Sequence, residues 1–388
     1  MAVAFAQAAS DRARRKWKGA PISEPAQSKN QPFVLATGRV CAQPRIGADS
    51  IGLTKCHLME IALKRRNFLT LAGAALAASS APHLSIAAPR ATPFDTTPPS
   101  ALSDVAVFRA SRRFANLPQG RIAYVERGSG PKAALFLHGA PLNSFQWRGA
   151  IERLSPYRRC IAPDFMGLGY SEVPAGQSLT AGAQAEMLAA LLDKLGAGAV
   201  DIIASDSGGA VAQLFLLRYP QRVRNMMLTN CDIEPHSPPA EIAPVLEMAR
   251  KGTLADDTAK WLTDKALARA TFGTGVFHNP AQLTDDIIEY YVTPLVSTPL
   301  RRTQYHAFHN ALSPNPLAGI EAQLRRSQVP VRMVWGASDT IFTIADAHYL
   351  DQLFPRSQGI RTVPEGKLFF QEEYPDIIAE EARKLWKV

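Results

Sequence analysis

The sequence predicts an α/β chain: a mostly parallel eight-stranded sheet with helices on both faces and a helical segment inserted after the sixth strand. Three observations carry that expectation. From about residue 105 onward, short apolar strand-like runs alternate with amphipathic helical stretches, the pattern of a parallel sheet with crossover helices. The alternation breaks once, over residues 235–326, where helical patterning is punctuated by Pro238-Pro239, Pro294 and Pro314. One strand, residues 200–204, runs through Ser205-Asp206-Ser207-Gly208-Gly209 into an Ala/Val/Leu-rich helix, Val211 to Tyr219. A strand-to-helix turn this tight is a nucleophile elbow, which lifts one side chain above the sheet. Ala204 and Gly208 flank Asp206, so the side chain at the apex is a carboxylate.

Taken in order, Arg112–Leu117 and Arg121–Glu126 alternate like strands around the turn Pro118-Gln119-Gly120 and predict a leading antiparallel hairpin. Ala133–Leu137 reads as a buried strand, Ser144–Leu154 as a helix and Arg159–Ala162 as a strand. Thr180–Leu195 is a long amphipathic helix ended by Gly196. Val200–Ala204 leads into the elbow, and Val223–Thr229 is the sixth strand. After the insertion come the strand Val331–Trp335, the helix Ile344–Phe354, the strand Ile360–Val363 and a closing helix, Pro375–Trp386. Ligands on such sheets sit at the carboxyl ends of the strands. A lid at 235–326, between core segments 105–234 and 327–388, would therefore hang over Asp206.

The chain has 388 residues and a net charge of +9. Residues 1–88 hold twelve Lys/Arg against four Asp/Glu, so nearly all of the surplus lies there. The remainder is close to neutral and has no basic stripe, which excludes nucleic acid as a partner. Residues 1–58 lack periodicity and are expected to be disordered or untranslated. Met59 precedes Lys64-Arg65-Arg66-Asn67-Phe68-Leu69, a modestly apolar run to Ala78, and the small residues Ser85-Ile86-Ala87-Ala88. That sequence resembles a twin-arginine export signal over 59–88, cleaved near Ala87 or Ala88. It implies a partnership with the twin-arginine export machinery and a periplasmic or secreted protein, with no other membrane role. Pro89 to Asp104 reads as a linker. Cys160 and Cys231 are expected as buried free thiols, and no cysteine or histidine spacing suggests a metal.

Several motifs in the right order make residues 105–388 resemble the α/β-hydrolase superfamily. His138-Gly139-Ala140-Pro141 follows the third strand. Pro163-Asp164-Phe165-Met166-Gly167-Leu168-Gly169-Tyr170-Ser171 follows the fourth, the elbow the fifth, and Trp335-Gly336-Ala337-Ser338-Asp339 the seventh. With Asp at the elbow, the chain is similar to the haloalkane dehalogenase and epoxide hydrolase branch. The resemblance implies that the Asp206 carboxylate attacks carbon to form an ester, which activated water then cleaves. The N–H groups of Ala140 and Ser207 would form the oxyanion hole. Asp339 would be the acid, with Asp232 as the alternative. The substrate is a small molecule, and neither metal nor organic cofactor is implied.

Three departures from that branch stand out. Its base His follows the last strand, yet the corresponding stretch, Pro364-Glu365-Gly366-Lys367-Leu368-Phe369-Phe370-Gln371, carries Leu368 there. Dehalogenases hold halide with Trp after the Asp and often Asn after His-Gly, where this chain has Ser207 and Ala140. Epoxide hydrolases use lid tyrosines as acids, for which Tyr290, Tyr291 and Tyr305 are the candidates. His306 and His309, on one predicted lid helix, are candidates to replace the base, whereas His348 lies too far along the chain. Candidate pocket residues are His138, Trp147, Tyr305, His306 and His309. The leading function is therefore an Asp-nucleophile hydrolase with an atypical or impaired second step. The alternatives are a non-catalytic ligand-binding protein of the same fold and a serine esterase using Ser207.

Overall fold

The computed structural model describes residues 104–388. The expectations for 1–58, for the export signal at 59–88 and for all but the last residue of the linker lie outside them. Eight strands form one sheet: β1 Arg112–Leu117, β2 Gly120–Arg127, β3 Ala133–Leu137, β4 Arg159–Pro163, β5 Val200–Asp206, β6 Val223–Cys231, β7 Val331–Gly336 and β8 Ser357–Val363. Their order is β1-β2-β4-β3-β5-β6-β7-β8. β1 and β2 pair antiparallel, as do β2 and β4, and every later pair is parallel. The central strands β3 and β5 are buried at every position, as parallel strands covered on both faces must be. The edge strand β8 is mostly open.

The helices used below are α1 Val105–Ser111, α2 Arg148–Leu154, α3 Ala181–Lys194, α4 Ser207–Arg218, α5 Ala243–Lys251, α6 Leu254–Thr263, α7 Asp285–Val296, α8 Pro299–Asn310, α9 Ile344–Leu353 and α10 Pro375–Trp386. Helix α3 starts where the Thr180 hydroxyl accepts the Ala183 N–H, 3.3 Å away, and stops before Gly196 at φ 61°. Helix α1 was not visible in the pattern: its seven residues bury only Phe108, and the Asp104 carboxylate caps it. The predicted helix 144–154 is a 3-10 turn, Ser144–Trp147, followed by α2. Cys160 and Cys231 are buried free thiols, as expected.

Between β6 and β7 the chain is helical, and α5 to α8 lie there. Pro294, read from sequence as loop punctuation, sits inside α7. Having no N–H, it leaves the Tyr290 carbonyl without its helical donor. The Tyr170 hydroxyl donates to that carbonyl at 3.0 Å, so the helix survives and is tied to the loop after β4. Helix α8 is tied to the same loop. The Arg301 guanidinium donates to the carbonyls of Ser171 (2.8 Å) and Gly169 (2.7 Å), and the Gln304 amide to that of Val173 (2.8 Å).

Candidate active site

Asp206 ends β5 and precedes the first turn of α4, with φ 55° and ψ −134°. A non-glycine residue held at positive φ costs about 1–3 kcal/mol and persists only where its surroundings force it. Here the two glycines that follow do so. A Cβ on Gly208 would lie 2.6 Å from the His138 carbonyl oxygen, and one on Gly209 would lie 2.5 Å from Cys231 Sγ. Only bare backbone lets α4 start this close to the ends of β3 and β6, which fixes Asp206 at the apex. The Ala140 N–H donates to Asp206 Oδ1 at 2.8 Å. Burial raises the Asp206 pKa, and the backbone N–H groups of Ser207 and Ala140 partly offset it.

Asp206 opens into a narrow, mostly apolar cavity. Its volume is about 50 Å³. Phe272, Val276, Ile341, Phe342, Leu368 and Phe369 supply much of the apolar wall. The polar side chains are Asp206, Ser207, Asp232 and His309. Val276, Phe272 and His309 come from the segment between β6 and β7. Leu368, where the resemblance places a base His, is a wall residue 2% exposed.

The two candidate acids differ. Asp232, just after β6, lines the cavity and accepts the Ser237 hydroxyl on Oδ1 at 2.8 Å. Burial, with the Asp206 charge nearby, pushes its pKa up to about 8. Asp339 is not part of the wall. Its carboxylate accepts the N–H groups of Ile341 (2.9 Å) and Phe342 (3.3 Å) and the Asn230 amide (2.8 Å). Burial still raises it to about 7.

Of the histidines named from sequence, only His309 reaches the cavity. It is 4% exposed, and its Nδ1 lies 2.9 Å from the Tyr305 carbonyl oxygen. Since that oxygen can only accept, Nδ1 carries the hydrogen, and Nε2 is left as an acceptor with no partner among the described residues. Burial, chiefly, lowers its pKa to about 4, so the ring is neutral at physiological pH.

The other four candidate pocket residues are not among those lining this cavity, and each side chain is used or packed elsewhere. His306 Nε2 accepts the Ala255 N–H at 2.9 Å, at the start of α6. His138 Nε2 accepts the Phe165 N–H and Nδ1 meets the Gly139 carbonyl, both at 2.9 Å, so the ring braces two loops. Trp147 is fully buried against Phe136, with ring centroids 5.9 Å apart. Tyr305 is fully buried beside Thr258, and its ring packs edge-on against His309. Tyr290 and Tyr291 are also engaged. Arg112 donates to the Tyr290 hydroxyl at 2.6 Å, and the Tyr291 hydroxyl donates to Glu372 at 2.8 Å. Among the described residues the Ser207 hydroxyl makes no hydrogen bond to a histidine, so no imidazole is poised to activate it.

A buried amide network was missed from sequence. Gln146 Oε1 accepts the Gly139 N–H at 2.8 Å, and its Nε2 donates to Gln371 Oε1 at 3.2 Å. Gln371 Nε2 donates in turn to Thr229 Oγ1 (2.7 Å), Ser205 Oγ (3.2 Å) and the Leu368 carbonyl (3.1 Å). Gln371 thus joins the strand before the elbow to the Leu368 loop and, through Gln146, to the Ala140 loop. The signal was slight: a Gln three residues beyond the position examined for the base. Asn230 was missed as well. It clamps the β7 end through the Gly336 N–H (2.7 Å) and Asp339.

This architecture agrees with what the chain is similar to. The family described as alpha/beta hydrolase fold matches residues 133–374, and the chain belongs to that family. It is a hydrolase of that fold related to haloalkane dehalogenases. Haloalkane dehalogenase 2 of Mycobacterium tuberculosis is 27% identical over 282 residues, which span 71% of this chain and 95% of the relative. The cis-3-alkyl-4-alkyloxetan-2-one decarboxylase of Shewanella oneidensis is 27% identical over 249 residues, spanning 62% of this chain and 76% of the relative. Among solved structures, an ancestral haloalkane dehalogenase is 25% identical with a TM-score of 0.59, covering 71% of this chain and 100% of that one. An epoxide hydrolase at 22% identity, with a TM-score of 0.60 and coverage of 71% and 98%, shares the fold.

Proposed function

We propose that the protein is a hydrolase that carries part of its substrate as an ester on Asp206. The observation that supports this most directly is the Asp206 carboxylate itself, at a strained apex, buried in an apolar slot and held by the Ala140 N–H. A carboxylate so placed is a nucleophile for carbon. It would displace halide or open an epoxide on a small neutral substrate to give that ester, or attack an activated ester to give a mixed anhydride that water cleaves in the same way. The N–H groups of Ala140 and Ser207 would then hold the oxyanion formed when water attacks the new ester. The slot admits slim apolar molecules. Residues 235–326 act on this reading as the lid, and the signal at 59–88 delivers the enzyme to the periplasm or beyond.

Leu368 favours a second reading, a ligand-binding protein that has kept the pocket without the chemistry. Intact-mass spectrometry after incubation with alkyl halides, epoxides and activated esters separates the two. An adduct or a hydrolysis product, absent in Asp206→Asn, is expected. No adduct and no product with any of these compounds would overturn the hydrolase reading in favour of the binding protein.

A further inference from the structure

We infer that the water-activating base of this site has moved from the sheet to the helical segment above it, and that His309 on α8 holds it. This rests on Asp206 being the nucleophile. The position after β8 carries Leu368, which cannot accept a proton. His309 is the one imidazole among the cavity-lining residues described, and it shares that cavity with Asp206 and Leu368. A base must be in one tautomer and one orientation when the ester forms. Both are set here: the Nδ1 hydrogen is committed to the Tyr305 carbonyl, and the Tyr305 ring packs edge-on at 4.7 Å between centroids. Helix α8 is held in turn by Arg301 and Gln304 on the carbonyls of Gly169, Ser171 and Val173. The free Nε2 lone pair is thus supported from a fixed element, as a catalytic group requires.

The competing acceptors are weaker candidates. Asp232 lines the cavity, but with a pKa of about 8 it is mostly protonated at neutral pH. Asp339 is outside the wall, and its oxygens are taken by Ile341, Phe342 and Asn230. The groups around His309 are Tyr305 and His306 from its own helix and, across the cavity, Asp206 and Asp232.

The steps balance. An Asp206 oxygen bonds to the substrate carbon as the carbon–halogen bond breaks, and halide leaves with the electron pair. With an epoxide one ring carbon–oxygen bond breaks instead; the oxygen stays on the neighbouring carbon and takes a proton from solvent, which the later release from Asp206 returns. Water then adds to the Asp206 carbonyl carbon while His309 Nε2 takes one of its protons. The tetrahedral oxyanion rests on the Ala140 and Ser207 N–H groups. It collapses by breaking the bond to the alkoxide, which recovers the proton from His309 and departs as alcohol. Asp206 is left as the carboxylic acid and gives its remaining proton to solvent, which restores the carboxylate and accounts for the H+ that accompanies halide.

The test follows the intact mass of the full protein and of His309→Gln, each with n-butyl bromide and with butylene oxide. His309→Gln keeps an amide hydrogen for the Tyr305 carbonyl. Both proteins should alkylate on Asp206 at the same rate. The parent should clear the adduct to alcohol or diol, whereas the variant should hold it with decay slowed at least about 100-fold. Decay in the parent should be flat between about pH 6 and about pH 9, because His309 is neutral throughout. Equal clearance by both proteins would overturn the assignment. So would an adduct that persists in the parent, decay that rises through about pH 8 with the ionisation of Asp232, or loss of alkylation in a variant of unchanged melting temperature. In all four cases Asp206 stands as the nucleophile. Absence of both adduct and product in the parent would remove Asp206, and His309 with it.

Discussion

Replacing Asp232 by Asn should stabilise the protein, and by an amount set by pH. Asp232 is 6% exposed, no cation pairs with it among the described residues, and its pKa in the folded chain is about 8. Its unfolded value is the ordinary 3.8. A carboxyl whose folded pKa is raised binds its proton more tightly in the native state. Stability is therefore lost as pH climbs above the unfolded value, and the loss levels off above the folded one. At pH 7 the carboxyl is about three units above its unfolded pKa and still mostly protonated when folded. At about 1.4 kcal/mol per unit, the cost is on the order of 4 kcal/mol. Asn keeps the acceptor for the Ser237 hydroxyl and presents N–H where the protonated acid presents O–H, without titrating. The assay is thermal unfolding of parent and Asp232→Asn at about pH 4 and about pH 7. No difference is expected at the lower pH, and a gain of roughly 8 °C at the higher, taking about 2 °C per kcal/mol for a chain of this size. A gap equal at both pH values would mean that Asp232 titrates normally, and the case against it as the base would fail.

Two further substitutions probe the scaffold. Gly209→Ala places a methyl 2.3 Å from Cys231 Cβ. It should cost about 2–3 kcal/mol in urea unfolding, because the neighbour is a strand residue with no room to retreat, and an unchanged midpoint would refute the packing argument. Gln371→Leu removes the donor to Thr229, Ser205 and the Leu368 carbonyl and leaves the Gln146 amide unpaired. It should cost about 1–3 kcal/mol and slow alkylation of Asp206, as Gln146, which braces the Ala140 loop through the Gly139 N–H, loses its own anchor. Slower alkylation without destabilisation, or the reverse, would show that the network does only one of these jobs.

The sheet was readable because its strands announce themselves. Ala133–Leu137 and Val200–Ala204 are continuous apolar runs between turn residues, and both lie within a residue or two of the observed strands. The elbow was readable for a related reason: in Ser-Asp-Ser-Gly-Gly the apex falls on Asp206, with Ser207 the alternative, and the two glycines are where the helix meets β3 and β6. The pocket was not readable. Whether His306 or His309 faces it depends on the rotation of α8 about its own axis, which is set by Arg301 and Gln304 meeting carbonyls some 130 residues earlier. Neither local period nor spacing carries that information. The same holds for Gln146 and Gln371, whose partners lie on distant elements, and for Pro294, whose helix is sustained by a tyrosine from another loop.

The charges in the slot explain why such a site can exist in an apolar cavity. An unpaired buried charge is expensive, and proteins neutralise it where they can. Asp232 does so by keeping its proton to about pH 8, and His309 by staying neutral above about pH 4. Asp206 is met by two backbone N–H groups, that of Ala140 in the loop after β3 and that of Ser207 at the start of α4. On the proposed reading, that support falls on the carboxylate that must be ionised to attack carbon. The same groups are the donors that a tetrahedral oxyanion on Asp206 would need. On the proposed reading, a slot with no guanidinium or ammonium among its described lining residues, and with Asp232 protonated up to about pH 8, would favour neutral apolar substrates over anionic ones.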